Sequence, residues 1–556
     1  MAYPDINPLD WSTVQPHVDA LLAADLRPAG VDAWLQQWSD LAAVLYESNV
    51  QIQRALSENT ADAEADRRFQ ILVEQIIPRS RVADQALRDK LLSLPGYVPS
   101  SETVQLVRRF HAEAAIFRPE NVPLHGQLMK LENRYDKITG GLSIDWDGAA
   151  ETIPQASARL LDLDRGVRER AWWLIMASYA GQRTELNALY GEMLPLRRQI
   201  AHNAGLPDFR AYKWQELNRF DYTPADCFTF HDAIEHEVAP LARQLYAEQG
   251  AKLGVERLRP WDVEVNPHGA PLKPFSDVAD LEEGAYRIFQ RVDPALAAHF
   301  AVMRDGFLDL ASRPNKAPGG HCEGFPVSGK PYIFMNAAGI HDDLRTLLHE
   351  GGHAFHFMES RRHPLVWNHN GPMEFCEVAS MGMELLSAPY LEASQGGFYS
   401  ATDARRATAD HLRSIVRFLP YMAVVDAFQH WVYVDAPEAV SAADLDARWS
   451  ELWDRFMVGI DFTGLQAEKE TGWHRKLHIF TVPFYYVEYG LAQLGALQVW
   501  RNALQDQAGA VADYRAALAL GNTRSLSDLF RAANVRFAFD RRTVGELMAL
   551  VAEQLG

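Results

Sequence analysis

Along most of the chain apolar residues recur every three or four positions, the period that turns one face of a helix towards a core. The pattern predicts helices at 31–45, 64–77, 80–94 (stopped by Pro95-Gly96) and 102–117. Residues 121–155 break it. Positions 133–148 partly alternate and hold turn pairs, which predicts a short hairpin or an irregular strand. Helical texture returns from Ile153 to about residue 248. It is clearest at 165–179, where Asp164 can cap the first turn. Pro260, Pro267, Pro271 and Pro274 mark a long loop, after which helices resume at 280–291 and 294–311. Residues 316–336 read as two short strands around a Ser328-Gly329 turn. The stretch 332–335 is either an ordinary structural strand or an edge on which an extended peptide can pair. The fold predicted is mainly α, with two helical lobes and a small β-hairpin or sheet before the next helix.

Composition narrows the classes of function. A chain of 556 residues exceeds what one small core needs. Three stretches are expected: an N-terminal helical region at 1–120, a helical lobe continuing it at 121–255, and a region at 256–556 that carries the chemistry. The formal net charge of -19 argues against nucleic acid and an anionic membrane surface as partners. No apolar run approaches the roughly 20 residues of a membrane helix. Three cysteines, Cys227, Cys322 and Cys376, make no disulfide framework. With no visible signal peptide, the expected location is the cytoplasm.

The chemistry centres on residues 343–359, a helical stretch that contains His349-Glu350-Gly351-Gly352-His353. Residues four apart share a helix face, so His349 and His353 can converge on one ion. Neutral imidazole suits zinc, and a catalytic zinc takes three protein ligands and leaves one position open. Glu350 is placed to take a proton from water at that position. Two helix-interior glycines cost about 1 kcal/mol each against alanine. Gly352 lies on the histidine face, where it is expected to leave room beside the ion.

The third ligand must come from elsewhere. Ten residues after His349 stands Glu359, which excludes the extended motif with a third histidine there. The segment from Gly371 to Leu386 reads as a helix begun near Pro372. Glu374, Glu377 and Glu384 fall near one face of it. Burying three carboxylates needs a cationic counterweight, which a zinc site supplies. Glu377 is the expected ligand, Glu384 an acceptor for a ligand imidazole N–H, and Glu374 a partly solvated bystander. His363 and His369 are rival ligands. A further stretch, 474–489, is rich in histidine and tyrosine. Tyr485 and Tyr489, like Tyr486 and Tyr489, can present hydroxyls on one helix face, or form an aromatic core stripe.

The segments Asn315-Lys-Ala-Pro-Gly-Gly, Thr346-Leu-Leu-His-Glu-Gly-Gly-His-Ala-Phe-His356 and Glu377-Val-Ala-Ser, with His474-Arg-Lys-Leu-His478 and Pro483-Phe-Tyr-Tyr-Val-Glu-Tyr489, closely resemble the M3 family of zinc oligopeptidases. The oligoendopeptidase F branch is the nearer. The resemblance implies a mainly helical shell around a deep, narrow substrate channel, and cleavage of short peptides. It implies one zinc per chain held by His349, His353 and Glu377, with Glu350 as general base. It also implies that His478, Tyr486 and Tyr489 face the substrate. The spacing from His478 to the tyrosines departs from the thimet-like branch by one residue. The oxyanion donor is therefore one of Tyr485, Tyr486, Tyr489 and His478.

The function expected is a zinc-dependent endopeptidase of short unstructured oligopeptides. One alternative is a zinc carboxypeptidase or peptidyl-dipeptidase on a related shell, with Arg475, Arg541 or Arg542 as the carboxylate-binding group. The other is a peptide-binding protein that keeps a zinc site without turnover.

Overall fold

The computed structural model describes Tyr3 and residues 5–556. The chain is mainly α and forms two compact units, neither a continuous stretch of sequence. The first comprises Met1–Phe117, Leu272–Arg405 and Gly495–Phe537, and the second Arg118–Pro271, Arg406–Leu494 and Ala538–Gly556. Among the described residues no helix is long and apolar enough to cross a membrane.

In the first unit the N-terminal helices gather around an aromatic centre. The helix Val31–Glu58 buries Val31, Trp34, Leu35, Trp38 and Leu41, one stripe at three- and four-residue spacing. Trp38 stacks on Phe110 at 5.0 Å and meets Trp367 edge-on at 4.8 Å. Each such side chain contributes about 1.5–3 kcal/mol by leaving water. The expected helix at 64–77 is present but passes through a π turn, Leu72–Ile76, before running on as Ile77–Leu92.

Five short strands occur among the described residues: β1 (Ser143–Trp146), β2 (Ala149–Thr152), β3 (Leu308–Ala311), β4 (His321–Phe325) and β5 (Lys330–Ala337). In the first unit β5 pairs antiparallel with β4 and parallel with β3, giving the order β3-β5-β4. Gly329, at φ 67°, makes the β4–β5 turn possible. This corrects one reading of the sequence. Residues 332–335 lie in the central strand, 0–2% exposed, and present no free edge. Lys316 explains the motif that precedes β4. Its Nζ donates to the carbonyls of Asp309, Ala311 and Met335 and to the Asp309 carboxylate at 2.6–2.9 Å, which ties β3 to β5.

In the second unit one expectation shifts. The helix Asn121–Gly140 runs through the stretch that partly alternates, and the hairpin begins only at β1. Leu128 and Tyr135, two turns apart, are both buried, so tertiary packing settles the period as helical. Tyr135 stacks on Phe480 at 4.3 Å. Asp164 caps Arg165–Gly181 as its position suggests, accepting from Gly166 N–H at 2.7 Å. Trp172 is core, whereas Trp173 is 41% exposed. Back in the first unit, the helix expected at 294–311 ends at Met303, and its last residues are β3.

Candidate metal centre

Two helices of the first unit build the centre. His341–Ser360 carries the histidines. Asp343 accepts from the backbone N–H of Ile340 and Ala338 at 2.9 and 2.8 Å, which secures its first turn. Met373–Ser387 follows Pro372 and carries Glu374, Glu377 and Glu384.

The two helices cross at Gly352. A Cβ there would stand 2.4 Å from the Ala379 carbonyl oxygen and 2.5 Å from Ser380 Cα. The room that this glycine provides is filled by the neighbouring backbone and not by an ion. This contact brings Glu377 to the histidines. Gly351 plays the same part against Phe289, whose ring a Cβ would meet at 2.6 Å. Gly352→Ala should therefore destabilise the protein and weaken zinc binding, although alanine favours a helix by about 1 kcal/mol. Overpacking of this kind costs typically 1–3 kcal/mol. A melting temperature at or above wild type, with full zinc content, would refute the crossing argument.

The donor atoms of His349, His353 and Glu377 lie within 4.8 Å of one another. Glu377 Oε2 is 3.5 Å from His349 Nε2 and 3.7 Å from His353 Nε2. A tetrahedral zinc with bonds of about 2.0–2.2 Å separates its ligand atoms by about 3.4 Å, so the set fits that ion with small adjustments. Ser380 Oγ donates to Glu377 Oε2 at 3.0 Å and steadies it. Glu384 Oε1 accepts from His349 Nδ1–H at 2.7 Å, which turns Nε2, the nitrogen left for an ion, towards Glu377. Glu374, expected to be partly solvated, is only 4% exposed.

The electrostatics suit a cation. Burial drags His353 down to about 4, against the pull of Glu377, so its imidazole is in the neutral, metal-binding form. Burial also opposes charge on His349, but its hydrogen bonds to Glu377 and Glu384 push it well above the usual histidine range. Burial raises Glu377, yet the two histidines overcome this and hold it at about 2. Burial pushes Glu350 up to about 7. Its Oε2 is buried without a hydrogen-bond partner, next to the donor triad.

The rival ligands are occupied elsewhere. His363 Nε2 meets the Ala519 carbonyl at 2.9 Å, and His369 Nε2 meets the His363 carbonyl at 3.0 Å. Cys376 is buried, with Sγ 3.4 Å from the Gly371 carbonyl, and acts as a small core residue.

His478, Tyr485, Tyr486 and Tyr489 cluster in the second unit. The His478 ring lies 4.8 Å from that of Tyr486 and 5.9 Å from that of Tyr489, and Tyr485 meets Tyr489 at 5.2 Å. Tyr486 is 7% exposed and packs edge-on against Phe418 and Tyr421, whereas Tyr485 and Tyr489 are half-buried. Burial drops His478 to about 3, so its ring is neutral.

The groups that hold this cluster in place were not visible in the sequence. Arg197 donates to the carbonyls of Ile479 and Phe480, and Arg219 to the Phe484 carbonyl and Glu488. Gln429 accepts from the Phe484 N–H at 2.7 Å. Together they fix Phe484 at φ 68°, a strained backbone for a non-glycine residue, just before the helix that starts at Tyr486. Nothing local marked them: Arg197 lies in a helix with other charged residues, and Arg219 follows the end of the helix Phe209–Glu216.

A second buried cluster joins Cys227, His231, Asp426 and His430. His231 Nε2 is 2.8 Å from Asp426 Oδ2. Arg210 donates to His430 Nδ1 at 3.3 Å, which leaves the ring proton on Nε2, 3.3 Å from Asp426. With Arg210 on Nδ1 the Nε2 carries the ring proton and is no metal donor, although it and Asp426 Oδ1 make no hydrogen bond.

A model of peptidase family M3 matches residues 160–548. In structure the chain resembles PZ peptidase A with an inhibitor (TM-score 0.90, 25% identity, covering 100% of this chain and 99% of that one). It resembles a structure described as an oligoendopeptidase F at TM-score 0.90 and 26% identity, covering 100% and 97%. A Bacillus anthracis str. Ames structure described as an oligoendopeptidase F gives TM-score 0.86 and 24% identity, covering 100% and 97%, and bears on the fold alone. No curated protein sequence matches the chain. The match over most of its length shows that this chain belongs to peptidase family M3.

Proposed function

We propose that this M3 peptidase is a zinc-dependent endopeptidase that hydrolyses internal bonds of short unstructured peptides, with one zinc per chain. The observation that supports it most is the convergence of His349, His353 and Glu377 beside a buried, unpartnered Glu350 oxygen. The first three residues would hold the metal. When bound, zinc supplies a Lewis acid that polarises the scissile carbonyl and acidifies a water. Glu350 takes the proton from the attacking water and passes it to the leaving amine. Glu384 keeps the His349 imidazole in the tautomer and orientation that ligation needs.

His478, Tyr486 and Tyr489, with Tyr485 as the alternative, are proposed as donors to the developing oxyanion. This part rests on the family resemblance. Tyr486→Phe or Tyr489→Phe is expected to lower kcat by about 10²–10³, the effect of losing one such donor, with a smaller change in KM. Near-wild-type kcat in both variants would return these rings to a packing role.

A quenched peptide with an amidated C-terminus tests the endopeptidase reading. It should be cut at a rate similar to its free-acid twin, and not at all after chelation. Cleavage of the free acid alone would make the enzyme a carboxypeptidase or peptidyl-dipeptidase. Two candidate carboxylate binders are already engaged, Arg541 with Glu237 and Arg542 with Glu546.

A further inference from the structure

The first unit contains a half-enclosed cavity of about 380 Å³ that none of the catalytic groups uses. Its walls are Ala42 and Leu45 of the Val31–Glu58 helix, Leu72, Ile76 and Ile77, and its floor includes Gly324 and Phe357. The volume is at the small end for ligand sites, enough for a side chain or two and too small for a folded partner. Most of the lining is apolar.

Three observations join this cavity to the metal centre. Phe357 lies one turn beyond His353 on the histidine helix, a rise of about 6 Å. Gly324 lies two residues along β4 from Cys322, and β4 packs against the histidine helix. That distance along a strand is about 7 Å. Tyr46, at the rim and 45% exposed, donates to Glu323 of the same strand. Measured along the chain, each link is about 6–7 Å, the length of two residues of extended peptide.

The lining is built with care. The Phe357 ring lies so close to Gly324 that a Cβ there would stand 2.4 Å from it. The π turn at Leu72–Ile76 inserts an extra residue into the helix, and both ends of that turn face the cavity. Such turns are rare and recur at functional sites.

We infer that this cavity is a specificity pocket, formed by the N-terminal helices, for a large apolar side chain two residues from the scissile bond of the peptide. The inference rests on the peptidase reading above. It gives residues 1–117 a part in substrate choice.

The test uses the full-length zinc enzyme and two sets of quenched peptides. One set varies the second residue before the scissile bond, the other the second residue after it, each through leucine, phenylalanine, alanine and aspartate. At one of the two positions the wild-type kcat/KM should be at least about 10-fold higher for leucine or phenylalanine than for alanine, the discrimination expected of an apolar pocket. Ala42→Trp fills the cavity from one wall and Ile77→Trp from the other. In each, the leucine-to-alanine ratio at that position should fall to about one, with zinc content and melting checked alongside. Two variants on different helices guard against one that fails to fold. A wild type that cuts the peptides without this preference, or a preference that survives in both variants, overturns the pocket and leaves the peptidase reading intact. A zinc-loaded wild type that cuts no peptide overturns both.

Discussion

Glu350→Gln should bind zinc stoichiometrically, melt close to wild type and lose about 10²–10⁴ of kcat, the usual contribution of a positioned base. The amide fills the volume of the carboxylate but can neither accept the proton from water nor return one to the leaving amine. Glu350 Oε2 has no hydrogen-bond partner to lose, so the substitution breaks no contact that holds the fold. Glu350 is also 6% exposed, and burial already favours its uncharged form. A neutral amide is therefore tolerated there. The measurements are kcat by single-peptide assay, zinc by metal analysis and a thermal melt. Activity within a few-fold of wild type would remove Glu350 from the mechanism.

Glu377→Ala should abolish stoichiometric zinc binding at neutral pH, and turnover with it. The carboxylate is the one proposed ligand from the second helix, and its Oε2 lies 3.5 and 3.7 Å from the Nε2 atoms of His349 and His353. Its loss also strips His349 of one of the two carboxylates beside it, and Ser380 of an acceptor. His353→Ala should lose the metal for the complementary reason, since only one imidazole would remain. Full zinc occupancy of Glu377→Ala in metal analysis would show that the third ligand is another group. A conservative Glu377→Gln separates the effects, because it keeps the volume and a carbonyl oxygen while discarding the charge.

Much of the centre was legible because helical spacing is a local property. His349 and His353 are four residues apart, and a helix of any context puts them on one face. The capping acids and Pro372 marked the ends of both helices for equally local reasons. The carboxylates at 374, 377 and 384 stood out because their helix is otherwise apolar. Glu377 was reached by asking what could balance them. That Glu374 is as buried as Glu377 was not visible, since nothing local fixes how deep a helix face lies.

What the sequence determined by itself was the mainly helical class, the pair of histidines and the glutamate between them, and the family to which their motifs point. Three things were left to tertiary structure. Residues 332–335 read equally as an edge or a buried strand until β3 paired on one side and β4 on the other, because pairing partners lie outside any local window. Gly352 read as space for an ion until the backbone of Ala379 and Ser380 occupied that space. The division of the chain into units was invisible as well. Each unit draws on segments hundreds of residues apart, and burial of apolar surface rewards contact in space whatever the separation along the chain.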